Sequence, residues 1–275
     1  MLKKKKIIIP GLVLIFLVGV AATVVYFSDL NRVKPFIRRT VMHYTGRELT
    51  IDGNLKFLAA WPPTLAAEDL GFQNAPWGSQ PYMVRVKRAA FAVSLKSLLR
   101  GDFRFFHIRL EEPEILLEFN PEGVSNFLLD IPESEGDDAI PVLAFNDIFI
   151  QNGYVESNDQ QSDLNIALHV DNLKAEIPGL DKPIQFYLKG AFKGLPCTLG
   201  GSIGPIVAWI QPGYPLSVGL DARQGGATAR LEGNIRNPID FKDISLIFTA
   251  NGPSTREITD WINQGPVPEL GAFAA

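Results

Sequence analysis

At 275 residues the chain has room for one large or two ordinary domains. It is 46% hydrophobic, with 18 Phe against 6 Tyr and 4 Trp, and its 24 Gly and 20 Pro are scattered as in a turn-rich β protein. The net charge of −4 hides an asymmetry: residues 1–45 carry eight Lys/Arg against Asp29 alone, a balance of +7, and the remainder holds −11. An acidic body argues against nucleic acid as a partner, the basic start is membrane-directed, and a single cysteine, Cys197, excludes an intramolecular disulfide.

Four lysines, Lys3, Lys4, Lys5 and Lys6, precede an uncharged run from Ile7 to Phe27. Twenty-one helical residues span about 31 Å, the thickness of a bilayer's hydrocarbon core. Residues 1–27 therefore read as a cytoplasmic tip and transmembrane anchor, with the lysines holding the N-terminus in the cytoplasm and everything after it translocated. The rival is a secretory signal cleaved after Val20-Ala21-Ala22, but the apolar run continues to Phe27, longer than a typical signal core.

Residues 28–45 predict an amphipathic helix capped by Ser28, with Leu30, Val33, Ile37, Val41 and Tyr44 on one stripe and Arg32, Arg38 and Arg39 elsewhere. It suits a membrane surface, and equally a plug at the end of a sheet. From residue 46 onward, period-2 alternation predicts strands. They include "ELTIDGNLKF", "MVRVKRAAFAVSL", "FHIRL", "EILLEF", "AFNDIFIQNGYVES", "LNIALHVDNLKAEI", "IQFYLKGAF", "SVGLDAR", "TARLEGNI" and "ISLIFTANG". Such alternation gives sheets with one apolar and one wet face, typically antiparallel. A short helical insert is expected at 94–102, an acidic proline-bracketed linker at 131–141 between β segments 46–130 and 142–275, and a helix at 254–262.

Four stretches read apolar–x–Gly–x–apolar: "IDGNL", "LKGAF", "LGGSI" and "LEGNI". Each would set a glycine on the apolar face, as a notch or bend. The 43 residues from Gly190 to Gly233 hint at a degenerate repeat.

No chemistry-bearing motif emerges. His43, His107 and His169 are scattered and no HExxH, CxxC, GxSxG, P-loop or GxGxxG occurs, so neither a metal, a cofactor nor a catalytic set is expected. Cys197 reads as a packing residue. The acidic groups Glu111-Glu112-Pro113-Glu114, Glu133/Glu135 and Asp137-Asp138 raise a two-carboxylate hydrolase only to be read as charges at strand ends and loops. Trp61, Trp77, Trp209 and Trp261 read as packing or interface residues rather than a sugar platform.

The order of features resembles the AsmA family of Gram-negative envelope proteins. The resemblance is carried by "TGRELTIDGNLKF" (45–57), "LGFQNAPW" (70–77), "SLKSLLRGDFRFFHIRLEEPEILLEFNPEGVSNF" (94–127) and "FNDIFIQNGYVES" (145–157). The stretch from Ala227 to Phe273 is similar to that family's repeated segment. The resemblance implies a mainly β protein. A transmembrane helix and an amphipathic helix lead into an elongated, curved antiparallel sheet that forms an open, U-shaped apolar groove related to chorein-type lipid transfer proteins. It implies an inner-membrane anchor, a periplasmic body, and phospholipid, the inner membrane and other envelope proteins as partners. The expected groove residues are Ile51, Leu55, Phe91, Val93, Ile108, Leu110, Ile115, Leu117, Phe119, Leu188, Phe192, Leu231, Ile235, Leu246 and Phe248. The alternative face-up is a closed core shielded by a second sheet. The alternative function is a non-transporting scaffold that assists outer-membrane protein assembly. The chain stops partway into a repeat, so it reads as an N-terminal portion or a short member, too short to bridge two membranes alone.

Overall fold

The computed structural model describes residues 29–58, 60–93, 105–129, 146–161, 164–209, 213–238, 242–253 and 273–274. The expected anchor with its four lysines, the insert at 94–102, the linker at 131–141 and the helix at 254–262 lie outside these residues. Among the described residues no helix is long and apolar enough to cross a membrane.

The chain enters through a 3-10 turn, Leu30–Val33, and continues as helix α1, Lys34–Thr45. Asp29, not Ser28, supplies the cap: its carboxylate accepts from the backbone N–H of Asn31 at 3.0 Å. The Asn31 side-chain amide, which donates to the same carboxylate at 2.8 Å, then the backbone hydrogen bond and the neighbouring Arg32 and Lys34, lower the Asp29 carboxyl from its ordinary value. Pro35 sits in the first turn of α1, where its missing N–H costs nothing. Gly46 ends it in the left-handed conformation, φ 68°, with its N–H on the Met42 carbonyl at 2.9 Å.

Thirteen strands follow: β1 Leu49–Ile51, β2 Leu55–Leu58, β3 Thr64–Gln73, β4 Tyr82–Val93, β5 Phe105–Phe119, β6 Asp147–Asp159, β7 Leu164–Glu176, β8 Ile184–Phe192, β9 Leu195–Gly204, β10 Leu216–Gln224, β11 Ala227–Asn237, β12 Lys242–Gly252 and β13 Phe273–Ala274. They make up 64% of the described residues and form one open, curled sheet. From β3 the order in the sheet follows the chain, while β1 and β2 both pair with β3. Every described strand belongs to this sheet, so no second sheet shields its apolar side among the described residues.

Three expectations are corrected. The sheet is not antiparallel throughout: β5 and β6 run parallel, His107 opposite Asp147 through Phe119 opposite Asp159. "ELTIDGNLKF" is not one strand, because the chain bends at Asp52–Asn54, where the N–H groups of Asp52 and Gly53 turn onto the carbonyls of Asp69 and Glu68. Gly53 is therefore a bend between β1 and β2, not a notch inside a strand. The Glu111-Glu112 pair lies in the middle of β5 rather than at a strand end.

The core is divided. Leu30 and Ile37 of the entry helix pack on Ile51, Leu55 and Ala67 at the start of the sheet. The 3-10 segment Ile206–Trp209 places Ala208, fully buried, against Leu216, Val218 and Ile235 near its end. The helical stripe expected from sequence is only partly turned inward, since Val33 stays 42% exposed.

An apolar face kept on one side by a polar crease

Between β3 and β7 each strand carries two adjacent polar residues flanked by alternating apolar ones: Glu68-Asp69, Lys87-Arg88, Glu111-Glu112, Gln151-Asn152 and Asp171-Asn172. Register aligns them. Glu68 lies opposite Arg88, Arg88 opposite Glu111, Glu111 opposite Gln151, and Gln151 opposite Asn172. In strict alternation two neighbours would point to opposite faces. Here both point to the wet face, because Asp69, Glu112 and Asn152 adopt left-handed backbone with φ of 52°, 50° and 51°. The doublet reverses the alternation. As a result Ala67 and Leu70, Val86 and Ala89, Leu110 and Pro113, and Val170 and Leu173 all fall on the apolar side, each buried or half-buried. The crease is stitched on the wet face by Lys87–Glu112 at 2.6 Å, Arg88–Glu111 at 2.9 Å and Lys56–Glu68 at 3.3 Å. A hollow of about 280 Å³ there is lined by Thr50, Asp52, Asp69, Arg85, Lys87 and Glu112, among others.

Register then places the expected groove residues. Leu55 follows through Ala67, Ala89, Leu110, Ile150 and Leu173 to Leu188, and on through Leu199, Ala222 and Ala229 to Ala250. Phe91 follows through Ile108, Ile148, Ala175, Phe186, Gly201 and Leu220 to Leu231 and Phe248. Ile51 faces Leu70, Ile115 joins Val84 to Val155, Leu117 joins Ser157, and Phe119 joins Asp159. Phe192 faces Leu168, Ile235 lies between Leu216 and Ile244, and Leu246 lies opposite Gly233. Backbone pairing sets Val93 opposite Phe105. Ile51, Leu55, Leu188 and Ile235 are buried, and Phe91, Ile108, Leu110, Ile115, Leu117, Phe119, Phe192 and Leu231 half-buried. Leu246 and Phe248 are 37% and 53% exposed. An apolar surface of this breadth on one side of a single sheet is a candidate binding face.

On this face a pocket of about 220 Å³ is lined by Ile166, Leu168, Leu188, Phe192, Cys197 and Leu199, with Gln224 at its edge. It is smaller than the roughly 300–1,000 Å³ of a site that encloses a small molecule. Burial pushes the Cys197 thiol up from its ordinary value. Gln224, itself buried, donates to the carbonyls of Phe192 at 2.7 Å and Leu195 at 3.1 Å, tying the ends of β8 and β9 to β10.

Two glycines on the same face have a conformational reason. Gly201 and Gly233 share φ 147°, and a Cβ on either would collide with a carbonyl of the neighbouring strand, Gly219 or Ser245. Gly201, 32 residues away, shares the positive φ of Gly233; Gly190, opposite Val170 and Cys197, lacks it, yet a Cβ there would likewise collide with a carbonyl of the neighbouring strand, that of His169.

Sequence reasoning missed a polar knot on the wet face. Glu118 and Asn126 are fully buried, Asn74 nearly so. The Glu118 carboxyl accepts from Asn74 Nδ2 at 2.7 Å and from the Ser79 N–H at 3.1 Å. Asn126 Nδ2 donates to Asn74 Oδ1 and to the Leu116 carbonyl, both at 2.9 Å, and Asn126 Oδ1 accepts from the Glu118 N–H at 2.9 Å. Arg47 reaches across to the carbonyls of Asn126 and, at 3.1 Å, Leu128. These residues come from three separated motifs, "TGR", "FQNAPW" and "LEFNPEGVSN". The signal available in sequence was that those motifs carried the family resemblance. Among the described residues no group of His, Cys, Asp and Glu could hold a metal ion.

The model of the AsmA family matches residues 1–233, and the chain belongs to that family. It is 25% identical over 276 residues to the AsmA family protein YhjG of Escherichia coli strain K12, an alignment that covers 89% of this chain and 40% of that protein. The chain thus spans about two fifths of the length of that relative.

Proposed function

We propose that this AsmA family chain is anchored in the bacterial inner membrane by one N-terminal span, with its body in the periplasm, and that its apolar face holds phospholipid acyl chains and passes them toward the outer membrane. Family membership supports an envelope-related role. The observation that carries the lipid reading is the continuity of the apolar side across successive strands, which five aligned polar doublets preserve by reversing the alternation. Acyl chains need a dry, unbroken surface and leave their head groups in water, and an open curled sheet with one apolar side supplies both. The role needs no catalytic group: the protein works by binding.

The test is lipid contact on the full chain. Phospholipid should co-purify with it and photocrosslink to it, and Leu117→Asp or Phe192→Asp should abolish the crosslink while the β-sheet signal survives. Unfolding by either substitution would assign those residues to a closed core. Absence of co-purifying phospholipid would favour a scaffold for outer-membrane protein assembly. Cys197 lines the pocket on this face and offers a native probe, since bound lipid should slow its reaction with maleimide.

A further inference from the structure

The sheet has two ends, and one of them carries both the attachment of the N-terminal residues and the most exposed tryptophan. The end where residues 1–28 join the body is fixed by Asn31, whose Oδ1 accepts from the Leu55 N–H at 3.0 Å, and by Lys34, whose Nζ donates to the Gly53 carbonyl at 2.5 Å. From Leu55, β2 runs to Leu58 and into the turn that carries Trp61. Helix α1 runs the opposite way, so the point of attachment and Trp61 lie at one end. The connection between β7 and β8 is at that end too, because Leu58 pairs with Thr64 and Thr64 with Ala92, whose strand meets the start of β5, where His107 pairs with Asp147 and Asp147 with Glu176.

Trp61 is 86% exposed, Leu58 42% and Leu180, in the β7–β8 connection, 37%. Arg32 and Lys182 are exposed at the same end. A tryptophan presented to water at this level is unsatisfied as a packing residue, and Trp61 has no aromatic neighbour to stack on among the described residues. Indole rings favour the head-group layer of a bilayer, where the ring is desolvated and its N–H stays hydrogen-bonded, and basic residues beside them meet phosphate.

We infer that this end is a membrane-contacting rim, in which Trp61, with Leu58 and Leu180, inserts into the outer head-group layer of the membrane that holds the N-terminal span, and Arg32 and Lys182 sit against lipid phosphates. The inference rests on the anchored reading above and extends it. The 21-residue apolar run ends at Phe27, and the first described residue is Asp29, so the span can deliver the body to the surface with this end down. The mouth of the apolar face would then open at the level from which a lipid can slide out of its leaflet.

The full chain is reconstituted in phosphatidylethanolamine–phosphatidylglycerol vesicles whose acyl chains carry bromine, a contact quencher of tryptophan. In a variant with Trp77, Trp209 and Trp261 each changed to Phe, Trp61 should lose most of its emission and shift to the blue relative to vesicles without bromine. If that variant loses its sheet, the same quenching is read as the difference between the natural chain and Trp61→Phe. A chain that floats with the vesicles and resists carbonate extraction, yet leaves Trp61 unquenched, overturns the rim while the anchor stands. A chain that does not float overturns both.

Discussion

From β3 to β7 the sheet departs from flat pleating by keeping its side chains, and from β9 to β12 by removing them. In the first half, polar doublets take left-handed backbone at Asp69, Glu112 and Asn152, and the charges so displaced pair across strands. In the second half, Gly201 and Gly233 let one strand close on the carbonyl of the next, and a left-handed residue that keeps its side chain recurs at Asp243, near the start of β12. Both devices work without interrupting the apolar side. The crease costs local strain of about 1 kcal/mol per non-glycine left-handed residue and needs hydrogen-bonded or charged partners on the wet face. The glycine device needs no partner, but it tolerates no side chain. Accordingly the first half carries the knot and the ion pairs that stitch the crease, while Arg230 pairs with Asp221 and Glu232 on β10 and β11 in the second half.

The largest expected break falls in the first half. Glu118→Ala removes the acceptor of the buried Asn74 amide and of the Ser79 N–H, and leaves a cavity where a fully buried side chain stood. The cost should be about 4 kcal/mol, read as a lowered urea midpoint, with hydrogen exchange accelerating first in β3 to β5. If β8 to β12 loosens equally, the halves are one cooperative unit and the contrast is only geometric. Next in size, Gly233→Val should cost about 3 kcal/mol, from backbone strain and displacement of the Ser245 carbonyl, with faster exchange confined to β11 and β12.

The sharper test is the exchange of devices. Glu112→Gly gives the crease the residue that the notch requires. It removes left-handed strain and an exposed pair with Lys87, and these should cancel to within about 0.5 kcal/mol. A loss of more than about 2 kcal/mol would mean that the doublet side chains do more than fill the wet face. Smallest of all, Lys87→Ala should shift the midpoint by less than about 0.5 kcal/mol, and the shift should vanish in high salt, because both partners are half exposed or more.

Much of this was legible. Period-2 alternation located ten of the strands, although Leu110 of "FHIRL" and Ile115 of "EILLEF", five residues apart on one strand, are out of phase. The phase change itself was not read, because a left-handed residue within a strand has no signature other than the polar doublet, and a doublet also marks a turn. β3 was missed for the same reason: "TLAAEDLGFQ" breaks its alternation at Glu68-Asp69, and Ala66-Ala67 just before the break give little contrast between the faces. The parallel pairing of β5 with β6 was invisible because antiparallel and parallel strands share one alternation. Arg47, Asn74, Glu118 and Asn126 could not be grouped, since nothing local connects residues up to 79 positions apart. The exposure of Trp61 was also unforeseen, because composition cannot distinguish a packed tryptophan from a presented one.

The parallel junction has a consequence in time rather than in space. Nearly every other pairing in the sheet joins neighbouring strands by a hairpin that can zip from its turn, but β5 and β6 meet at a constant offset of 40 residues and share no turn. Closing such a loop is paid in chain entropy before any contact repays it. Two preformed meanders, one ending at β5 and one beginning at β6, would therefore dock as bodies, and a chain emerging N-terminus first would complete the creased half while the glycine half was still being made.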